Sequence, residues 1–188
     1  MNAIFQPVQH KLTVEAYYDL ARTGHLGEDD RVELIDGVII EMAPIGPDHV
    51  TAVNRLTRLL VLAVGEAGVV SVQNTLALRP YSAPQPDIAV LAPRFRQFGA
   101  GLPEAADILL MIEVSDTTLA WDRGTKMPLY ARHGVRESWI VNMRARSIEV
   151  YRDPGESGYA RRSDHVPGEV VTPQALPGVT VAVSEVLE

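Results

Sequence analysis

Two short apolar runs constrain this chain more than anything else in it. "PDIAVLAP" is a proline-bounded strand and "DILLMIEV" is a second apolar strand; residues 93–105, "PRFRQFGAGLPEA", form a Gly/Pro loop between them. That loop lets the strands pair antiparallel, and in such a pair the start of the first lies opposite the end of the second. Asp87 opens the first strand and Glu113 lies near the end of the other, so both carboxylates are expected at one edge of the sheet. Two close carboxylates among apolar neighbours repel unless a cation joins them or one takes up a proton. A hard divalent ion meets that need, and oxygen-only ligands favour magnesium or manganese over zinc. The ordinary alternative is that Asp87 satisfies backbone donors after Pro86 and Glu113 pairs with an arginine.

The rest of the chain supplies the frame. "LTVEAYYDLAR", with Thr13 as cap, predicts an N-terminal helix. "RVELIDGVIIEM" switches to the two-residue period of strands around Asp36-Gly37, a hairpin signal. "PDHVTAVNRLTRLLVLAVGEAG" predicts a long helix opening at Pro47 and Asp48, with Val50, Val53, Leu56, Leu60 and Val64 along one core-facing stripe. "VVSVQ" and "TLALRP" read as short β pieces, and "ESWIVN", "SIEVYRD", "GYARRS" and "GVTVAV" as further strands. Asp122 is placed as the cap of a helix through "RGTKMPLYARHG" that Gly134 closes, and Pro128 inside it should kink or shorten it. The elements predict an α/β (α+β) fold, a mixed sheet flanked by helices, with an N-terminal β-hairpin and additional C-terminal strands.

Length and composition set limits on function. A chain of 188 residues is long enough for one domain with a real core, so 1–188 is read as a single domain. No run of about eighteen apolar residues and no charged-then-apolar leader at "MNAIFQPVQHK" argue for a soluble protein away from membranes. The absence of cysteine excludes disulfides, thiolate metal sites and cysteine nucleophiles, and it fits a cytoplasmic location. A net charge of -7 argues against a broadly basic nucleic-acid face. The arginines nevertheless cluster locally, as Arg55 with Arg58, Arg94 with Arg96, and Arg144, Arg146 and Arg152; a solvated surface and a phosphate track are both open readings.

The chain has only two lysines, Lys11 and Lys126. Side chains two apart on a strand share a face, so a cation aligned with Glu113 belongs at position 115, where Ser115 stands. Lys126 lies in the first turns of the helix that follows and can swing back to the two carboxylates; a solvent-facing lysine is the plain alternative. His49, near the start of the long helix, reads as a proton carrier or phosphate contact, or as an ordinary histidine near a cap. Glu33, opposed by Arg31, reads as a solvent-side strand residue. Tyr130 shares a helix face with Lys126 and either holds it or packs in the core, as Trp139 does.

"PD" at Pro86-Asp87 and "EVS" from Glu113 to Ser115 resemble the PD-(D/E)XK nuclease superfamily with its final lysine moved away. The larger set, "VELIDGVIIEM", His49, "PDIAVL", "IEVSDTT" and "DRGTKMPLYARHGVRESWIVN", resembles the Uma-two family of bacterial restriction-endonuclease-like proteins over about residues 12–152. The resemblance implies a four-stranded mixed core sheet flanked by helices. It also implies a metal-dependent site of Asp87 and Glu113, with the Val114 carbonyl as a further metal oxygen, Lys126 standing in for the strand lysine, and Glu33 of the "ELIDG" block pointing to the same cleft. The expected activity is a magnesium- or manganese-dependent endonuclease, a hydrolase acting on phosphodiesters in DNA rather than RNA, with a homodimer as its assembly. Its rival is a catalytically inactive nuclease-fold module that binds a protein partner, which the net charge favours.

Overall fold

The structure, a computed structural model, describes residues 10–27 and 29–188; the opening segment read above for a leader lies, through residue 9, outside them. Packing divides the chain into two units, Met1–Met42 with Ala77–Pro84, and Ala43–Leu76 with Gln85–Glu188.

In the first unit, helix α1 (Val14–Arg22) starts where Thr13 accepts a hydrogen bond from the Ala16 amide at 3.2 Å, satisfying one of the donors a helix start leaves open. Strands β1 (Val32–Ile35) and β2 (Val38–Glu41) form the hairpin. Its turn takes left-handed angles at Asp36 (φ 51°) and Gly37 (φ 83°), the backbone that Asp-Gly accommodates best. A Cβ on Gly37 would come within 2.5 Å of the Lys11 side chain, so glycine is required twice over. "TLALRP" does not form a strand; Leu78 and Ser82 make an isolated bridge, each amide bonding the other's carbonyl across the turn that holds Pro80.

In the second unit, helix α2 (Pro47–Val64) buries Ala52, Val53, Leu56, Leu60 and Val64. Val50 departs from the expected stripe and is 40% exposed; the covered face instead takes in Ala52. A six-stranded mixed sheet follows, ordered β3 (Val69–Val72), β4 (Ile88–Leu91), β5 (Ile108–Ser115), β6 (Glu137–Asn142), β7 (Ser147–Gly155) and β8 (Gly158–His165). Only β5 and β6 run parallel. The sheet is wider than the four strands implied by the resemblance, since the alternating runs "SIEVYRD" and "GYARRS" join its edge as β7 and β8. Residues 119–132 form the helical crossover between β5 and β6, made of α3 (Leu119–Trp121), a π turn (Asp122–Lys126) and α4 (Met127–Arg132). A two-stranded ribbon, β9 (Val170–Val171) with β10 (Val181–Ala182), and helix α5 (Val183–Leu187) end the chain.

Alternation along the strands fixes which face meets which helix. Ile88, Leu110, Ile112, Trp139, Ile148 and Val150 pack in one core with the buried stripe of α2 and with Val183 and Val186 of α5. At positions between them, Glu113, Ser115, Ser138, Ile140 and Glu149 belong to the opposite face, and α4 packs against β7 and β8 there. Covering both faces accounts for the near-continuous burial of β5 and β6.

Pro128 leaves its mark as a π turn, not as a break. It has no amide proton for the Gly124 carbonyl four residues earlier, and the Met127 amide bonds back to Asp122 with the wider i→i−5 spacing. Gly124 has open space where a side chain would sit, so the ring meets no crowding. The slower rotation of a π turn keeps Asp122, Lys126 and Tyr130, spaced four apart, closer to one helix face than a regular α-helix would.

Candidate active site

The register Ile88↔Ile112 is antiparallel, so Asp87 and Glu113 face each other across neighbouring strands at the edge where β5 ends. One further step sets Pro86 against Val114. Proline has no amide to offer the Val114 carbonyl, and the Val114 amide turns instead to Asp87 Oδ2 at 2.8 Å. The Pro-Asp pair therefore ends the ladder and gives the Asp87 side chain the position of the missing strand partner. His49 Nε2 lies 3.1 Å from the same Oδ2. From β3's end, Gln73 Nε2 donates to Oδ1 at 3.3 Å while the Gln73 amide holds the Asp87 carbonyl at 3.0 Å. Burial works to raise the Asp87 pKa, but the bonds from His49, its charge, the Val114 amide and Gln73 outweigh it and hold the group below the ordinary carboxylate value. In return, chiefly its bond to Asp87 raises the basicity of His49 against the effect of burial, with a smaller contribution from the Val114 backbone. Among the described residues nothing offers a hydrogen bond to the buried His49 Nδ1.

Glu113 is 3% exposed. Lys126 Nζ reaches Oε1 at 3.2 Å from the helix, and the Tyr130 hydroxyl donates to that oxygen too. Burial pushes Glu113 up to about 8 despite the Lys126 charge and the Tyr130 bond, with the nearby charges of Asp122 and Asp87 adding to the rise. The solvent-facing alternative for Lys126 is thus set aside: the residue is 6% exposed and its ammonium is turned to the carboxylate edge.

Asp122 does not cap the helix. It already has helical angles, φ -62° and ψ -46°, and the helix begins a turn earlier, at Leu119. Its buried carboxylate accepts from Ser115 Oγ at 2.6 Å and Thr118 Oγ1 at 2.7 Å, pinning the π turn to the end of β5. Burial raises its pKa against those two bonds. Ser115, the position left without a cation, thereby anchors the segment that delivers one.

His49, Asp87, Glu113, Val114 and Lys126 come together in the second unit. Glu33 sits on β1 of the first, opposite Ile40 and 4% exposed, so its reading as a solvent-side residue does not hold. Sequence reasoning missed Gln73, whose left-handed backbone (φ 49°) has no signature in a glutamine. It also missed the anchoring role of Asp122, for which the only signal was its spacing from Lys126 and Tyr130. Among the described residues no three His, Asp or Glu side chains converge as a ready-made metal cage.

The mixed sheet with helices on both faces and acidic groups at one edge defines a restriction-endonuclease-like fold. The crystal structure of "a putative nuclease belonging to DUF820 from Anabaena variabilis ATCC 29413" has the same fold, with a TM-score of 0.72 at 15% identity over 93% of this chain and 97% of that one. No curated protein sequence matches the chain. The family model Uma2, described as "Putative restriction endonuclease", matches residues 14–184, beyond the span that carried the resemblance. The chain belongs to that family.

Proposed function

We propose that this chain is a metal-dependent nuclease that hydrolyses phosphodiester bonds, in DNA rather than RNA. The observation that carries the reading is the meeting of Asp87 and Glu113 with Lys126 at one buried edge, where the lysine stands 3.2 Å from Glu113. One ammonium faces several carboxylates there, and Glu113, pushed up to about 8, is the group left undercompensated. The donors fit a hard cation: two carboxylates and a main-chain carbonyl are all oxygen, and magnesium keeps several waters rather than needing a full protein cage. Asp87, Glu113 and the Val114 carbonyl would hold magnesium or manganese. When bound, such an ion polarises a phosphoryl oxygen and lowers the pKa of a coordinated water.

The protein's own groups do the positioning. The Val114 amide, His49 and Gln73 fix the Asp87 rotamer, and Tyr130 fixes Glu113. Lys126, held at the carboxylate edge by its helix, orients the attacking water or offsets the negative charge that develops on the phosphoryl group. A compact ammonium suits that role better than a guanidinium, in a chain whose only other lysine is Lys11. A homodimer and a cytoplasmic setting belong to the same reading.

Incubating supercoiled plasmid, linear duplex and RNA with the protein in magnesium, manganese or chelator tests it. Metal-dependent cleavage that disappears in the Asp87→Ala, Glu113→Ala double variant is expected. A folded native protein that cuts nothing with either ion would favour the interaction module instead.

A further inference from the structure

We propose that a cleft beside the carboxylate pair seats a second phosphodiester of the nucleic-acid strand being cut; the inference rests on the nuclease reading above. The cleft, about 290 Å³, lies between Asp48, Thr51 and Arg55 of α2, Met143 and Arg146 of the β6–β7 turn, and Leu187 of α5. Topology puts it at the reactive edge. Ser115 and Asn142 are paired at the parallel ends of β5 and β6, and the Met143 amide donates to the Ser115 carbonyl at 2.9 Å. On the other wall, Asp48 adjoins His49, which reaches Asp87. A strand drawn across the edge with one phosphate at Asp87 and Glu113 therefore meets the cleft next.

The arginines that the sequence groups together sort into two kinds. Arg94 is clamped by Asp107, Arg96 binds the Gly68 carbonyl, and Arg152 binds Glu137; these hold the fold. Arg55 is exposed and has no hydrogen-bond or ion-pair partner among the described residues. Arg146 gives one bond to the Leu187 carbonyl at 3.0 Å, with Glu188 at 3.8 Å, and a guanidinium has five donors to place. It also sits at φ 51°, a left-handed position that glycine or asparagine fills more easily. Keeping an arginine in a strained turn residue at the mouth of a cleft points to a use for its side chain.

Asp48 decides which phosphate. A diester carries one negative charge, whereas a free phosphate or monoester carries about 1.5 to 2 near neutral pH. A carboxylate lining the cleft together with the two guanidiniums penalises the dianion more, so the site favours the backbone of a polymer over a free anion.

The test measures binding of a labelled DNA duplex to the full chain in chelator, over a series of salt concentrations, with inorganic phosphate as a second probe. Arg55→Ala and Arg146→Gly should each weaken binding by roughly three- to tenfold and lower the salt slope by about one. Arg58→Ala, one turn along α2 and outside the cleft, should change neither. Glycine fits the turn, so Arg146→Gly should keep the native melting temperature or exceed it. Unchanged affinity and slope in both cleft variants would overturn the seat, as would an equal loss in Arg58→Ala, which marks a diffuse field. Saturation by inorganic phosphate with no response to DNA in either variant would make it a free-anion site and overturn it too. Cleavage that persists with unaltered slopes would remove the cleft alone, whereas a native protein that neither binds nor cuts nucleic acid would remove the nuclease reading with it.

Discussion

Glu113 and Glu149 are both buried, both on the helix-covered face that α4 occupies, and both bonded to a tyrosine and a basic side chain, yet their acidities move in opposite directions. Glu149 is fully covered. It takes a fork from Arg123, an amide hydrogen from Asn142 at 2.8 Å and the Tyr151 hydroxyl at 2.7 Å, and Arg162 stands 3.4 Å away. Burial raises its pKa, but those bonds and charges outweigh burial and leave it below the ordinary value. Among the described residues Glu113 has a single ammonium and one hydroxyl, with Asp87 and Asp122 adding like charge, and is pushed up to about 8. One carboxylate is fully supplied with donors and ties the π turn to β7. The other is short of positive charge, and what it lacks is what a divalent ion provides.

Lys126→Met gives the largest effect expected. Cleavage should fall by roughly ten- to a thousandfold, up to about 4 kcal/mol of barrier, while binding of magnesium is nearly intact. Unchanged turnover would take the lysine out of the chemistry.

The acidity contrast makes the next prediction. Without metal, unfolded Glu113 releases its proton near the ordinary value of 4.5 and folded Glu113 only at about 8, so between those values the native state binds more protons than the unfolded one. Stability must then fall as pH rises through that window, by on the order of 5 kcal/mol from this group. Urea denaturation in chelator should show the fall in the native protein and lose it in Glu113→Gln. A native stability that is flat across the window would refute the contrast.

Glu149 has the reverse sign. Its depressed pKa contributes stability above the unfolded value that is lost as pH falls through the folded one. Glu149→Ala should cost about 3 kcal/mol at neutral pH by leaving Arg123, Asn142 and Tyr151 without their shared acceptor, on the order of 10 °C in melting temperature for a domain of this size. A loss under about 1 kcal/mol would show the network to be no better than a surface pair.

Legibility in the sequence followed the range of the forces involved. Local backbone chemistry was readable: Thr13 as a cap, Asp36-Gly37 as a turn, and Pro86 with Gly134 as boundaries all report on their own neighbours. The alternation of β4 and β5 was enough to bring Asp87 and Glu113 to one edge. The response to Pro128 was not readable, because whether a helix kinks, ends or widens depends on what holds its two flanks. Here Asp122 on Ser115 and Arg123 on Glu149 hold them, and neither pairing has a sequence signature. The same holds for Gln73, recruited to Asp87 by a left-handed turn residue, and for Val50, whose helical phase fits the core but whose place in the first turn of α2 lies beyond the sheet's cover.

The central claim, that Asp87 and Glu113 form a pair in need of a divalent cation, meets its most direct test in melting temperatures measured with and without millimolar magnesium or manganese. An ion at about a hundred times its dissociation constant adds roughly 2.7 kcal/mol to the folded state, or about 5–10 °C here. The native protein should show that rise, and the Asp87→Ala, Glu113→Ala double variant should show none. An identical response in the two proteins, whether a rise or no change, would contradict the claim.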